Sequence, residues 1–199
     1  MKDVLVILAH PDMGSFNFAI ARQCVDRLSG NGYRPIFHDL YRERFDPILP
    51  AEEIPEDGTV DPAVECHCKE LTRASGLVIV HPNWWGMPPA ILTGWIDRVF
   101  RPGVAYRFRE GDSGEGIPDG LLAGKKALVF NTSNTAPERE AAVFGDPLAA
   151  FWRTSIFGFC GITEHYRTTF SVIVTSTHEE RVAWLAEAAS AVDRYFPKE

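Results

Sequence analysis

Short apolar runs alternate with longer stretches of helical periodicity, and this alternation constrains the fold more than any other feature of the chain. The first run, Val4-Leu5-Val6-Ile7-Leu8-Ala9, is continuous and β-branched, as a strand buried on both faces has to be. Tyr33-Arg34-Pro35-Ile36-Phe37-His38 is mixed and carries a proline, which places it toward a sheet edge. Gly76-Leu77-Val78-Ile79-Val80, Ala127-Leu128-Val129-Phe130 and Thr169-Phe170-Ser171-Val172-Ile173-Val174 complete the strands. Between and after them run helical patterns: Phe18 to Leu28, Pro62 to Ala74, Pro89 to Phe100, Pro147 to Phe157, and His178 to Tyr195. Strands and helices in this order form right-handed βαβ units, which predicts an α/β fold with a five-stranded parallel sheet covered by helices on both faces.

Helix ends are marked by residues whose backbone preferences suit them. Asn31-Gly32 fits a left-handed cap on the first helix, Asp61-Pro62 opens the second, and Thr177 with Glu180 has the spacing of a capping box. Phe45 to Thr59 and Arg109 to Gly120 read as surface loops. With 199 residues, 45% of them apolar, and no internal repeat, residues 1–199 are expected to form a single domain.

Charge and cysteine usage narrow the function classes. A net charge of -7 argues against nucleic acid or an anionic membrane as partner. No apolar run approaches the roughly 20 residues that span a bilayer. Met1-Lys2-Asp3 leads directly into a strand-like run with no signal-peptide pattern, so a cytoplasmic protein is expected. Cys66-His67-Cys68 has the composition of a metal tripod, yet on a helix its thiols point roughly 200° apart, given about 100° per residue. No second Cys/His pair stands at zinc spacing, and no metal is expected.

Three loops follow strands one, three and four. In a sheet ordered 2-1-3-4-5 they converge on the crevice at the carboxyl edge where such folds bind ligands. The first, His10-Pro11-Asp12-Met13-Gly14-Ser15-Phe16-Asn17, opens a helix, so backbone N–H groups and the helix dipole favour an anion there. Ser15 and Asn17 add side-chain donors and His10 a ring donor. The same residues also suit a plain N-cap and a strand-end histidine satisfied by backbone. Neither the dinucleotide glycine fingerprint nor the glycine-rich Lys-Ser/Thr loop is present. The second loop, His81-Pro82-Asn83-Trp84-Trp85-Gly86-Met87-Pro88-Pro89, places two adjacent tryptophans where packing alone hardly explains them; it suits a planar heteroaromatic ligand. In the third, Asn131-Thr132-Ser133-Asn134-Thr135, hydroxyls and amides can bond the edge of a polar heterocycle or satisfy their own turn.

Taken together, these motifs resemble the NAD(P)H:quinone oxidoreductase family, which has a flavodoxin-like fold. The resemblance runs nearly end to end: Leu8-Ala9-His10-Pro11 with Ser15-Phe16-Asn17, then Asp39-Leu40-Tyr41, Phe45-Asp46-Pro47, and Pro82 with Trp85. It continues through Pro89-Ala90-Ile91-Leu92-x-Gly94-Trp95-x-Asp97-Arg98-Val99-Phe100, Lys125-Lys126-Ala127 and Cys160-Gly161. It implies that His10, Ser15, Phe16 and Asn17 hold a flavin phosphate. Pro82, Asn83, Trp84, Trp85 and Gly86 would wrap the ring and its ribityl chain, and Thr132, Ser133, Asn134 and Thr135 would meet the ring's polar edge. FMN is the expected cofactor, with FAD as the alternative, because Glu52 to Lys69 is shorter than in mammalian-type enzymes.

The resemblance further implies a flavin-dependent NAD(P)H oxidoreductase that reduces quinones or similar flat electrophiles by two-electron ping-pong hydride transfer. Such enzymes act as homodimers, and the aromatic residues Trp95, Phe100, Phe151-Trp152 and Phe157-Gly158-Phe159 suggest more apolar surface than one core needs. The alternatives are a flavin-binding ancillary subunit of a potassium efflux transporter and a one-electron carrier of flavodoxin type. Mammalian-type quinone reductases carry a Tyr and a His after the third loop. Here Ala136 to Asp146 has neither, and Phe144 stands at the His position, so no catalytic side chain is assigned. Glu138, Arg139 and Glu140 in this segment are expected at the mouth of the site, where Arg139 suits a nicotinamide cofactor's phosphate; the alternative is a solvated charged loop.

Overall fold

Every residue of the first strand, β1 (Asp3–Leu8), is buried, and alternate side chains enter opposite faces of one sheet. The computed structural model describes residues 1–109 and 116–198. In it β1 pairs with β2 (Arg34–Asp39) on one side and β3 (Gly76–Pro82) on the other. Beyond β3 lie β4 (Lys126–Ser133) and β5 (Glu164–Ser171). All pairings are parallel and the order is β2-β1-β3-β4-β5. Pro35 sits on an edge strand, as its missing donor requires.

Strand alternation produces two cores. Val4, Val6, Leu8, Val78, Val80, Leu128 and Phe130 pack under helices α1 (Phe16–Gly30) and α6 (His178–Tyr195). Leu5, Ile7, Leu77, Ile79, Ala127 and Val129 pack under α2 (Pro62–Arg73) and α3 (Ala90–Val99). The expected helix boundaries hold. Gly32 takes the left-handed conformation at φ 90°, Asp61 accepts from the Ala63 N–H at 2.8 Å, and Thr177 and Glu180 form a reciprocal capping box. The Phe45–Thr59 loop is pinned by a buried ion pair, Arg98 to Glu53, at 2.6 and 2.9 Å. It lies so close to α3 that a Cβ on Gly94 would stand 2.2 Å from the Pro47 carbonyl oxygen.

Several expectations are corrected. The last strand runs Glu164–Ser171 rather than Thr169 to Val174, and Ile173–Thr175 is a 3-10 turn. At the sheet edge, pairing with β4 decides where the strand lies, so it needs no continuous apolar run. Ala136 to Asp146 is not an irregular loop: a helical turn Pro137–Arg139 widens into i→i+5 turns over Glu140–Phe144. These form α4. The helix expected from Pro147 is α5, with α-helical geometry only over Pro147–Ala149 and the wider turns over Ala150–Gly158. Of the Arg109 to Gly120 loop, residues 110–115 lie outside the described residues, while Asp119–Gly120 pairs antiparallel with Tyr106–Arg107.

The apolar-surface argument for a dimer does not survive. Trp95, Phe100, Trp152 and Phe157 are all core residues, and Trp184 packs against Phe16 and Phe170 of its own chain. Among these aromatics Phe159 is exposed. No helix among the described residues is long and apolar enough to cross a membrane.

Candidate active site

The carboxyl edge of the sheet gathers the three loops as the sequence predicts. His10, Ser15, Phe16, Asn17, Pro82, Asn83, Trp84, Thr132, Ser133, Asn134 and Thr135 line a single cavity of about 390 Å³. Trp85 and Gly86 line a neighbouring cavity of about 550 Å³ that shares Asn83 and Thr135 with the first. Asp12 and Ile173 border the first, and Glu140, Val143, Phe144 and Pro147 the second. Of these, Glu140 and Phe144 lie where the sequence expects the mouth of the site, while Asp12, Val143, Pro147 and Ile173 carry no such signal. The Asp146-Pro147 pair, a helix-opening signal like Asp61-Pro62, could have revealed that a helix edges the cavity.

The first loop combines both readings of its residues. Ser15 is the N-cap of α1: its Oγ accepts from the Phe18 N–H at 3.2 Å, which leaves the hydroxyl proton free to donate. The N–H groups of Phe16 and Asn17, in the first helical turn, have no partner within the helix. His10 Nδ1 lies 3.0 Å from the Asp12 backbone nitrogen and 3.2 Å from the Asp12 carbonyl oxygen; when it accepts from the N–H, the neutral ring carries its proton on Nε2. Burial holds the His10 pKa below its ordinary value, against smaller opposing effects of Asp12 and Asp39. Phe16 directs its ring away into packing with Phe170 and Trp184.

Asn17 and Asn83 decide whether a ligand fits. Asn17 Nδ2 donates to Thr132 Oγ1 at 2.8 Å, and Asn83 Nδ2 donates to a Glu140 carboxylate oxygen at 3.2 Å. Each leaves its buried Oδ1 without a partner, two of the four such side-chain atoms among the described residues. Orphaned buried polar atoms are costly, and both of these belong to residues lining the same cavity. An N–H of a heterocycle satisfies Asn83. Rotating the Asn17 amide by a half turn lets the Thr132 hydroxyl donate to Oδ1 and frees Nδ2 for a phosphate. The residues present therefore fit a flavin nucleotide.

The aromatic loop is a two-residue turn. Trp84 and Met87 exchange backbone hydrogen bonds at 3.1 and 3.0 Å, with Trp85 at φ 58° and Gly86 at φ 74°. A bulky residue in the left-handed region is uncommon and disfavoured. A Cβ on Gly86 would meet Pro147 Cγ at 2.6 Å, so α5 closes directly on the turn. Trp85 is fully solvent-exposed at the lip of the larger cavity.

Beneath this loop lies a buried polar chain that the sequence did not reveal. Arg167 donates to Asn131 Oδ1 at 2.9 Å and pairs with Asp146, the N-cap of α5. Asn131 must therefore present Nδ2 to His81 Nε2, 2.7 Å away, and Trp152 Nε1 donates to that same nitrogen at 3.0 Å. The proton of His81 is left on Nδ1, where it donates to the Pro82 carbonyl at 2.8 Å. Burial lowers the His81 pKa to about 4.

The cysteine-histidine triplet behaves otherwise than a metal tripod. Cys66 is exposed and Cys68 buried. His67 instead joins His38 and Glu70, with one ligand-type atom from each within 4.8 Å of the others. Trp95 Nε1 donates to His67 Nδ1 at 3.1 Å, which places the proton of the neutral ring on Nε2. Metal ligation through Nε2 would need that proton on Nδ1, facing the indole donor, the reverse of the usual support of a ligating histidine. Burial alone would lower His38, but its hydrogen bonds to Glu43 and Glu70 outweigh this and raise its pKa. Burial and the His38 charge push His67 down to about 4.

Comparison with known proteins agrees with this geometry. Residues 2–195 match the family described as having a flavodoxin-like fold. The chain belongs to that family. It is 34% identical, over 79% of this chain and 78% of the other, to an uncharacterized NAD(P)H oxidoreductase of Haemophilus influenzae. It is 28% identical to NAD(P)H dehydrogenase [quinone] 1 of Cavia porcellus, covering 81% of this chain but only 65% of that protein. A putative quinone reductase from Klebsiella pneumoniae superposes over 100% of this chain and 86% of its own, with a TM-score of 0.87 at 23% identity. This family member thus shares its fold and most of its length with oxidoreductases.

Proposed function

We propose that the protein is a flavin-dependent NAD(P)H oxidoreductase that reduces quinones or similar flat electrophiles. The observation carrying this reading is a polar cavity with two orphaned amide oxygens beside a larger slot walled by Trp85, Val143, Phe144 and Pro147. When bound, a flavin supplies the capacity to accept and pass on a hydride.

The chain's own residues bind and orient. The Phe16 and Asn17 N–H groups, the Ser15 hydroxyl and the His10 Nε2–H offer donors to a phosphate. Asn83 and Thr135 lie between the two cavities, where they can hold the edge of the ring. A slot of about 550 Å³ is of the size that small-molecule sites commonly have. It suits one flat ring at a time, hence the nicotinamide first and the acceptor after it. Phe144, in place of an ionisable side chain, offers packing and no proton. No residue between Glu52 and Lys69 lines the polar cavity, which supports FMN over FAD.

The test is optical. Protein heated to denaturation should release a flavin into the supernatant, and intact protein should bleach anaerobically with NADPH or NADH and recolour on adding a quinone. A protein that neither carries nor takes up FMN or FAD would refute the assignment.

A further inference from the structure

Glu140 is the one acidic side chain lining the larger slot, and that lining contains no Lys or Arg among the described residues. It is half-buried and also lines the small cavity between the Ser133–Thr135 loop and β5. Asn83 is its hydrogen-bond partner, a neutral amide that orients the carboxylate without cancelling its charge. The other carboxylate lining that small cavity, Asp146, is paired with Arg167. Among the described residues no cation pairs with Glu140, so it presents a negative charge at the place where the second substrate would enter, framed by apolar side chains.

We propose that Glu140 selects the electron acceptor by charge, admitting neutral and cationic flat molecules and disfavouring anionic ones. The inference rests on the flavin reductase reading and specifies its substrate class. A nicotinamide ring is neutral when reduced and cationic when oxidised, so the carboxylate does not oppose the donor's reactive end. An acceptor bearing a sulfonate or carboxylate near its ring meets repulsion instead. For unit charges about 6 Å apart, effective dielectric constants between bulk water and the protein surface correspond to about 3-fold to about 100-fold weaker binding.

Two quinones of one skeleton test this: 1,4-naphthoquinone and its 2-sulfonate. Their equilibrium dissociation constants for the oxidised, flavin-loaded protein are measured by calorimetry, and their kcat/KM values by steady-state turnover. Wild type should prefer the neutral quinone. Glu140→Gln should narrow the preference by about tenfold, chiefly through tighter sulfonate binding, and Glu140→Lys should invert it. Intrinsic differences in redox potential between the quinones cancel in these ratios. Equal preference in wild type and both variants overturns the inference while leaving the reductase reading intact. If neither quinone reoxidises NADPH-reduced protein, both readings fall.

Discussion

Protonating His81 should dismantle the support of the aromatic loop, because its Nε2 already faces two donors. In the neutral ring Nε2 accepts from Trp152 and Asn131 while Nδ1–H holds the Pro82 carbonyl. A proton added to Nε2 would set three donors against one another in a fully buried space. Burial, with a smaller push from the Arg167 charge, holds its pKa at about 4, against about 6.5 for a free histidine. Between these values the unfolded chain binds the proton and the folded one does not, so stability falls as pH falls through that window. By pH 4.5 the loss assignable to His81 is on the order of 2–3 kcal/mol. His67, also at about 4, adds in the same direction. His38, whose pKa is raised by Glu43 and Glu70, acts in the opposite direction, since its stabilisation is present at low pH and fades as pH rises. A site-resolved measurement is therefore needed. Two-dimensional nitrogen–proton spectra of the imidazoles from pH 7.5 to 4.5 should show His81 as the Nδ1–H tautomer, still mostly neutral at the acid end of the range. Flavin retention in dialysis should decline over the same range. A His81 midpoint near 6.5, or an Nε2–H tautomer at neutral pH, would refute the reasoning.

Trp85→Gly should raise stability by roughly 0.5–1 kcal/mol. It relieves a left-handed tryptophan that buries nothing in this chain, and the added freedom of the unfolded chain offsets part of the gain. It should also slow flavin reduction by NADPH in stopped flow by loosening the lip of the slot; lost stability, or an unchanged rate, counts against its role there. The homodimer now rests on family resemblance alone, and light scattering on flavin-loaded protein at micromolar concentration should give twice the 22.2 kDa chain mass; a monomer mass rejects it.

Most of the fold was legible because buried parallel strands announce themselves. Leu5 and Ile7 face one core, Val4 and Val6 the other, and both must be apolar, so the run is unbroken in the sequence. At the β5 edge that signal fails. Residues Glu164 to Thr169 read as polar because several of them bond Asn131, Glu187 or neighbouring side chains, and the apolar Val172 to Val174 drew the expected strand too far along. The same limit hid the buried chain below the site. Arg167, Asn131, His81 and Trp152 are each unremarkable as letters, and become a tautomer-setting device only when parallel pairing aligns His81 with Asn131.

Site residues on backbone motifs were therefore easier to find than those defined by tertiary approach. Ser15, Asn17 and the Trp84–Gly86 turn lie at strand–helix junctions, whose chemistry follows from sequence position. Glu140 does not: it sits on a helical turn read as a charged loop, and its meaning arises from Asn83, 57 positions away. The turn runs through Gly145 into Asp146, which pairs with Arg167 and caps α5 by its bond to Ala149. One chain of polar contacts thus links the Pro82 carbonyl beneath the aromatic loop to the start of α5, the helix that directly follows the one carrying Glu140. Cofactor retention and acceptor selection should accordingly fail together when Arg167 is lost and separately when Glu140 alone is changed.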